Sequence, residues 1–122
     1  MHLKEICDLK RGIENACFDK ELYLKNLRSF VLKYQSQVST LRHLIDNQKL
    51  LESRFFIQQL IQHSDILGYR LLHDISKETL NNLHLYRMSE LLSGLSVFED
   101  KLEDAISATE DYLSKSRATF LC

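Results

Sequence analysis

The chain has 122 residues, of which 44% are hydrophobic and 27% are charged, and its formal net charge is -1. This length and composition are typical of one globular domain, residues 1–122, that folds without a metal or a disulfide. Lysine and arginine are spread along the chain, which argues against a nucleic acid partner. No apolar run approaches the roughly 20 residues of a membrane span, and the N-terminus lacks the apolar segment of a secretory signal. We therefore expect a cytoplasmic protein that contacts no membrane.

The chain contains no proline and only three glycines, so few positions interrupt regular structure and an all-α fold is predicted. The first segment, residues 3–16, places Leu3, Ile6, Leu9 and Ile13 at helical spacing and predicts a short N-terminal helix. Asp19 is a suitable N-cap for a second helix. Its apolar periodicity continues to Ile45, which predicts one helix of about 27 residues, roughly 40 Å long.

A third helix is predicted over residues 49–67, because Gly68 suits a left-handed C-terminal cap. A shorter helix is predicted over 69–80, the pair Asn81-Asn82 is expected to form a loop, and a last helix is predicted over 86–114. Short connections between amphipathic helices favour antiparallel neighbours. We expect an up-and-down antiparallel four-helix bundle with an extra short N-terminal helix, and a coiled-coil dimer is the alternative.

The cysteines and histidines give little sign of chemistry. Cys7, Cys17 and Cys122 are odd in number and widely spaced, so neither a disulfide framework nor a zinc site is predicted. His73 precedes Asp74, but neighbouring helical residues are not expected to face each other, and no nucleophile lies beside them. The remaining histidines are too far apart to suggest metal ligation: His2, His43, His63 and His84. We expect no cofactor and no metal.

Two segments carry a resemblance to a known family. Residues 8–30, "DLKRGIENACFDKELYLKNLRSF", resemble the N-terminal half of histidine-containing phosphotransfer (HPt) domains. The residues that match the family's pattern there are Asp8, Gly12, Ile13, Asp19, Glu21, Leu22, Tyr23, Leu27 and Phe30. The segment 66–80, "ILGYRLLHDISKETL", is similar to a second family segment through Leu67, Gly68 and Leu72. The resemblance implies a four-helix bundle, a role in two-component phosphorelays and a bacterial origin.

The resemblance also locates the family's phosphorylation motif, His-x-Leu-Lys-Gly. Ungapped counting from Phe30 and from Gly68 places the histidine position at Gln58, and the motif then continues with Leu60, Ile61 and Gln62. Three of the four motif residues are therefore missing. A glutamine amide is neither basic nor nucleophilic at neutral pH, so it cannot accept a phosphoryl group as an imidazole does. We expect a protein that is not an enzyme.

The residues around Gln58 form the predicted partner-binding surface. On a helical wheel six residues lie within about 60° of it; they are Leu51, Arg54, Phe55, Ile61, Gln62 and Asp65. One interpretation is that Phe55 and Ile61 are covered by the flanking helices. The other is a docking surface, because exposed apolar patches with polar rims mark partner sites. Two placements are open for Phe30, Tyr34 and Gln35 or Gln37 on the preceding helix. Either they border this surface, or the aromatic residues belong to the core and the glutamines face solvent.

The sequence leaves three functions open. The first is a degenerate HPt protein that binds a receiver domain or histidine kinase and modulates signalling without carrying phosphate. The second is a phosphotransfer protein that uses His63, which lies about 140° from Gln58 and is expected at the edge of the core. The third is a helical scaffold or dimerisation protein, which could form a homodimer and would have no connection to phosphorelays.

Overall fold

A computed structural model describes Leu3 and residues 7–121, with side chains up to Lys115. Within these ranges the chain is all-helical, has no strand and forms the following helices: α1 Leu9–Asn15, α2 Lys20–Tyr34, α3 Thr40–Asp46, α4 Leu50–Leu67, α5 Arg70–His84 and α6 Met88–Leu121. Leu3 is also helical, whereas Ile6 of the predicted first helix lies outside the described residues. The predicted all-α class is confirmed.

The prediction of one long helix from Asp19 to Ile45 is wrong. Helix α2 begins after an Asp19 cap, whose side chain accepts a hydrogen bond from the Leu22 amide, but it ends at Tyr34. After a turn over residues 35–39 the chain restarts as α3, which packs against α4 and buries Leu41 and Ile45. A straight helix of the predicted length, roughly 40 Å, would extend beyond the end of α4, which is only about 27 Å long. The free energy gained by burying Leu41 and Ile45 against α4 therefore exceeds what is lost by interrupting the helix.

Helix α4 and the turn that ends it follow the sequence prediction. The helix begins at Leu50 and ends at Leu67, and Gly68 has the expected left-handed backbone, with φ of 80°. The amides of Gly68 and Tyr69 donate to carbonyls of the last helical turn. This tight turn makes α4 and α5 neighbours, and α5 starts at Arg70.

The predicted loop at Asn81-Asn82 is wrong, because both residues lie inside α5. Asparagine disfavours a helix interior by well under 1 kcal/mol relative to alanine, while the continued helix buries Leu83 completely. The break follows at residues 85–87, where Tyr86 takes a positive φ of 54°. The last helix then runs from Met88 to Leu121, longer than predicted.

The helices surround a shared apolar core. Helix α4 packs on α5, α5 on α6, α6 on α2 and α2 on α4, while α1 and α3 cover α4. The largest fully buried side chains are Tyr23, Tyr34, Tyr69, Phe98, Leu27, Leu41, Ile57, Leu60, Leu72, Leu83, Leu91 and Leu95. The tyrosine hydroxyls find polar partners inside this core, such as Thr109 for Tyr69. Across the described part of the chain, no helix has the length and apolar character needed to cross a membrane.

Candidate functional site

The C-terminal end of α4 is positioned by a close contact with α1. The Asp8 amide donates to the Gly68 carbonyl over 2.7 Å. A side chain at Gly12 would meet the Leu67 carbonyl oxygen at 2.8 Å and a Tyr23 ring carbon at 2.6 Å. Glycine is thus required at position 12, because only hydrogen lets the two backbones approach this closely. Four of the residues that match the HPt pattern therefore lie at one contact.

Two polar side chains of α1 strengthen this contact. The Arg11 guanidinium pairs with the Asp65 carboxylate at 2.8 Å, and Asn15 donates from its amide to the carbonyls of Asp65 and Ile66. Both carbonyls belong to the last turn of α4, where the usual i+4 donors are missing, and the Asp65 carbonyl also accepts from the Gly68 amide. Asp65 shares the predicted side of the helix with Gln58, two turns away, but its carboxylate is engaged by α1.

The surface around Gln58 is open to solvent over the first half of α4. Leu51 is 74% exposed and Phe55 is 61% exposed, and Gln58 and Gln62 are exposed as well. Ile61 is half-buried and packs against the core. One interpretation, packing under the flanking helices, thus applies to Ile61, and the other, an exposed apolar surface, applies to Phe55. Phe55 is available to a partner, and Ile61 is largely a packing residue.

A groove between α4 and α5 adjoins this surface, with a volume of about 710 Å³. Its walls consist of Arg54, Gln58, Ile61 and Gln62 from α4, and Lys77, Leu80, Asn81 and His84 from α5. None of these described lining residues is acidic, whereas Arg54 and Lys77 are cationic. The buried Nε of Arg54 has no hydrogen-bond partner among the described residues. The groove therefore offers donors and positive charge to a ligand that carries acceptors.

The α5 wall of this groove was missed by sequence reasoning. The α4–Gly68–α5 turn was predicted, and it forces one face of α5 against α4. Helical phase alone does not place Lys77 and His84 beside α4, because both lie about 100° or more from the buried stripe of Leu72, Ser76 and Leu83. The wrong loop at Asn81-Asn82 removed His84 from consideration.

His63 lies on the other side of α4, at the edge of the core as expected. Its Nδ1 is 2.6 Å from the Tyr34 hydroxyl, and Tyr34 is fully buried. Burial, with a smaller contribution from the Lys33 ammonium, lowers the pKa of His63. Phe30 and Tyr34 belong to the core, so they border His63 and not Gln58. Gln35 is exposed and Gln37 is half-buried.

The remaining polar candidates show no reactive arrangement. The Cys7 thiol is buried and donates to the Leu67 carbonyl at 2.9 Å, and burial raises its pKa to about 11, so it stays protonated at neutral pH. Cys17 is exposed, and Cys122 and His2 lie outside the described residues. His73 Nδ1 approaches Asp74 Oδ1 to 3.7 Å, closer than the sequence argument allowed, although no hydrogen bond forms.

Metal and family comparisons complete the description of the site. Over the ranges that the structure covers, no three His, Cys, Asp or Glu side chains are grouped to hold a metal ion. No family model, curated protein or solved structure matches the chain. The residues around Gln58 and the geometry of α4 are therefore the basis on which a function is proposed. Around Gln58 that geometry presents amides, a guanidinium and apolar side chains, with Lys77 and His84 on the facing wall of the groove.

Proposed function

We propose that the chain is a degenerate HPt protein of a two-component system, cytoplasmic and without enzymatic activity. Through the surface around Gln58 it binds a response-regulator receiver domain or a histidine kinase. It transfers no phosphate. The proposed fold is the up-and-down four-helix bundle of that family, formed by α2, α4, α5 and α6, with α1 as the extra N-terminal helix.

Two features support the proposed fold. The four longer helices contact one another in a closed ring, α2–α4–α5–α6, as expected of a bundle. The motif residues Asp8, Gly12, Leu67 and Gly68 meet at the α1–α4 contact, where glycine is needed for steric reasons. A chance likeness would not be expected to bring matching positions 60 residues apart into one contact.

The observation that carries the proposed function is the exposure of Phe55 and Leu51 beside a groove without acidic lining. Burying one such side chain stabilises a complex by up to about 1.5 to 3 kcal/mol. Arg54 and Lys77 in the adjoining groove complement carboxylates at a partner's rim. A receiver domain that presents an apolar patch beside its acidic phosphorylation pocket fits both features.

The mechanism that follows is occupancy. Gln58 replaces the nucleophile, so a bound receiver meets an amide where a phosphorylatable imidazole would stand. Because the complex covers the phosphorylation pocket, true phosphodonors and acceptors are excluded from that receiver. The protein would then change how much phosphoryl group passes through the relay without carrying any of it.

The deciding experiment is a binding titration of the purified protein against receiver domains from the same genome. We expect at least one receiver to bind, and we expect Phe55→Asp and Leu51→Asp to weaken binding tenfold or more, because each buries a charge in an apolar contact. Gln58→His should leave binding nearly unchanged. The matched control is Leu32→Asp, since Leu32 is 71% exposed on α2 and lies outside the proposed surface.

Three results would contradict the proposal. The first is that no receiver domain binds. The second is that Leu32→Asp weakens binding as much as Phe55→Asp does, which would indicate a nonspecific apolar contact. The third is a homodimer that Phe55→Asp dissociates, which would make the exposed surface a contact between two copies and favour the scaffold function.

A second candidate function is phosphotransfer through His63, and one observation favours it. The lowered pKa keeps the imidazole neutral, and Lys33 lies close enough to contribute to that shift. This function requires the tautomer in which Nδ1–H donates to the Tyr34 hydroxyl, because only then does Nε2 keep a free lone pair that can accept a phosphoryl group from an aspartyl phosphate. Acid-labile phosphate that appears on the wild type and disappears in His63→Gln would establish this function and displace the first.

A further inference from the structure

A second pocket, separate from the surface around Gln58, opens between α2 and α4 and has a volume of about 280 Å³. Its walls are formed by Asn26, Ser29, Phe30, Lys33, His63, Ile66 and Leu67. Phe30 and Leu67 are buried and form an apolar floor, whereas Lys33 and Ser29 are exposed. The pocket is therefore apolar inside and polar at its rim, as ligand sites commonly are.

The hydrogen-bonding state of His63 follows from its neighbour. The Tyr34 hydroxyl is buried and has no other hydrogen-bond partner among the described residues, so its proton is satisfied only when it donates to Nδ1, and we assign that direction. Neutral imidazole then carries its proton on Nε2. Since Nδ1 and Nε2 lie on different sides of the ring, the Nε2–H group is left free to donate away from Tyr34.

Every polar group of the rim can donate a hydrogen bond. The Lys33 ammonium gives one of its three protons to Gln59 Oε1 at 3.1 Å and keeps the others. Asn26 offers an amide, Ser29 a hydroxyl, and His63 its Nε2–H group. No carboxylate is found among the described residues that line this pocket. A single anionic head group would satisfy this set of donors, and a cation would not.

The pocket volume limits the size of the apolar part. At roughly 30 Å³ per water-sized group, about nine non-hydrogen atoms fill the space. We propose that the pocket between α2 and α4 binds a small amphipathic carboxylate, with its head at Lys33 and His63 and its apolar body on Phe30 and Leu67. A medium-chain fatty acid and a short aryl-alkyl carboxylate share this chemistry. This site is independent of receiver binding, because it opens on the other side of α4.

The test is a two-dimensional amide NMR titration of the full chain with four separate probes. Octanoate and 3-phenylpropanoate carry both parts of the proposed ligand, 1-octanol carries only the apolar part, and inorganic phosphate carries only a negative charge. We expect one or both carboxylates to bind and to shift the amides of Asn26, Ser29, Lys33 and His63. Octanol and phosphate should bind at least tenfold more weakly. The better carboxylate distinguishes an aliphatic source from an aromatic one.

Matched variants separate a built site from general surface adsorption. Lys33→Gln should weaken carboxylate binding about tenfold, whereas Lys25→Gln on the exposed side of α2 should not change it. Ile66→Glu places a carboxylate at the rim and should abolish binding. Leu71→Glu is its control and should leave binding unchanged, because Leu71 is 46% exposed, close to the 45% of Ile66, but does not line the pocket. Phe55→Asp should leave carboxylate binding intact, so failure here is distinguishable from failure of receiver binding.

The proposal is overturned if neither carboxylate shifts the four pocket amides at 10-fold excess over about 1 mM protein. It is also overturned if octanol binds as tightly as octanoate, since the donors at the rim would then be irrelevant. Equal binding of phosphate and octanoate would show an anion site without an apolar requirement. Unchanged affinity in Lys33→Gln would place the ligand elsewhere on the molecule.

Discussion

The two ends of α4 differ in how they are covered, although they belong to one helix. The C-terminal end is held by α1 through the Asp8–Gly68 backbone hydrogen bond, the Arg11–Asp65 ion pair and the Asn15 amide. Leu51 and Phe55 in the N-terminal half remain mostly exposed. One end is fixed by backbone contact, and the other presents large apolar side chains to solvent.

This difference follows the HPt pattern along the helix. The matching residues Leu67 and Gly68 lie at the covered end, where the α1 contact leaves no room for a side chain at Gly68. Gln58, Ile61 and Gln62, which differ from the pattern, line the groove at the open side, where both glutamines are exposed. Close packing therefore explains why glycine stands at positions 12 and 68, whereas the exposed positions around Gln58 are not restricted in this way.

The largest effect is expected at the covered end, in Gly68→Ala. Alanine at a positive φ costs about 1 to 2 kcal/mol, and its methyl group would overlap the Asp8 carbonyl, which adds about 1 to 3 kcal/mol. Urea unfolding should therefore show a loss of about 2 to 5 kcal/mol. The control is Gly94→Ala in α6, where no atom lies within 4 Å of the new methyl group and a gain of about 0.5 to 1 kcal/mol is expected. Equal stability of the two variants would refute the contact.

A smaller effect is expected when the Asn15 amide is removed. Asn15→Ala leaves two carbonyls of the last α4 turn without their side-chain donor, which costs about 1 kcal/mol. Chemical denaturation at high and low salt measures this loss, and it should not depend on salt. Arg11→Ala is the comparison, because an exposed ion pair contributes under about 1 kcal/mol and weakens with salt. A salt-dependent Asn15 effect would indicate that charge, not capping, holds this end.

The pH dependence of stability tests the partly covered side of α4. Folding lowers the pKa of His63 through burial and Lys33, so the unfolded chain binds more protons between that lowered value and about 6.5. Stability should therefore fall as pH decreases through this window. Unfolding of the wild type and His63→Gln at pH 7.5 and pH 5 measures the difference, and the variant should lose less. His43→Gln, the same substitution at an exposed histidine of α3, is the matched control.

The smallest effect on stability is expected at the open end. Phe55→Asp should change the free energy of unfolding by no more than about 0.5 kcal/mol, because Phe55 is mostly exposed and supports no buried contact. Thermal unfolding of the wild type and the variant is sufficient to measure this. A loss above about 2 kcal/mol would mean that Phe55 belongs to the core, and it would remove the surface on which the proposed receiver binding depends.

The helical class, the N-cap at Asp19 and the end of α4 at Gly68 could all be predicted from the amino-acid sequence. These are local properties: apolar spacing fixes the helix face, an aspartate accepts from the first-turn amides, and glycine tolerates a positive φ. The same spacing placed Gln58 and Phe55 on one side of a helix. It did not show that Phe55 is exposed while Ile61 is half-buried.

Only the tertiary structure decided where α2 stops, that α5 continues through Asn81-Asn82, and which partners Asp65 and His63 take. Each outcome depends on residues distant in sequence: Leu41 and Ile45 bury against α4, Arg11 reaches Asp65, and Tyr34 reaches His63. Local helix propensities differ by less than about 1 kcal/mol per residue, whereas burying one large apolar side chain contributes about 1.5 to 3 kcal/mol. Packing between helices therefore overrode local preference at these positions.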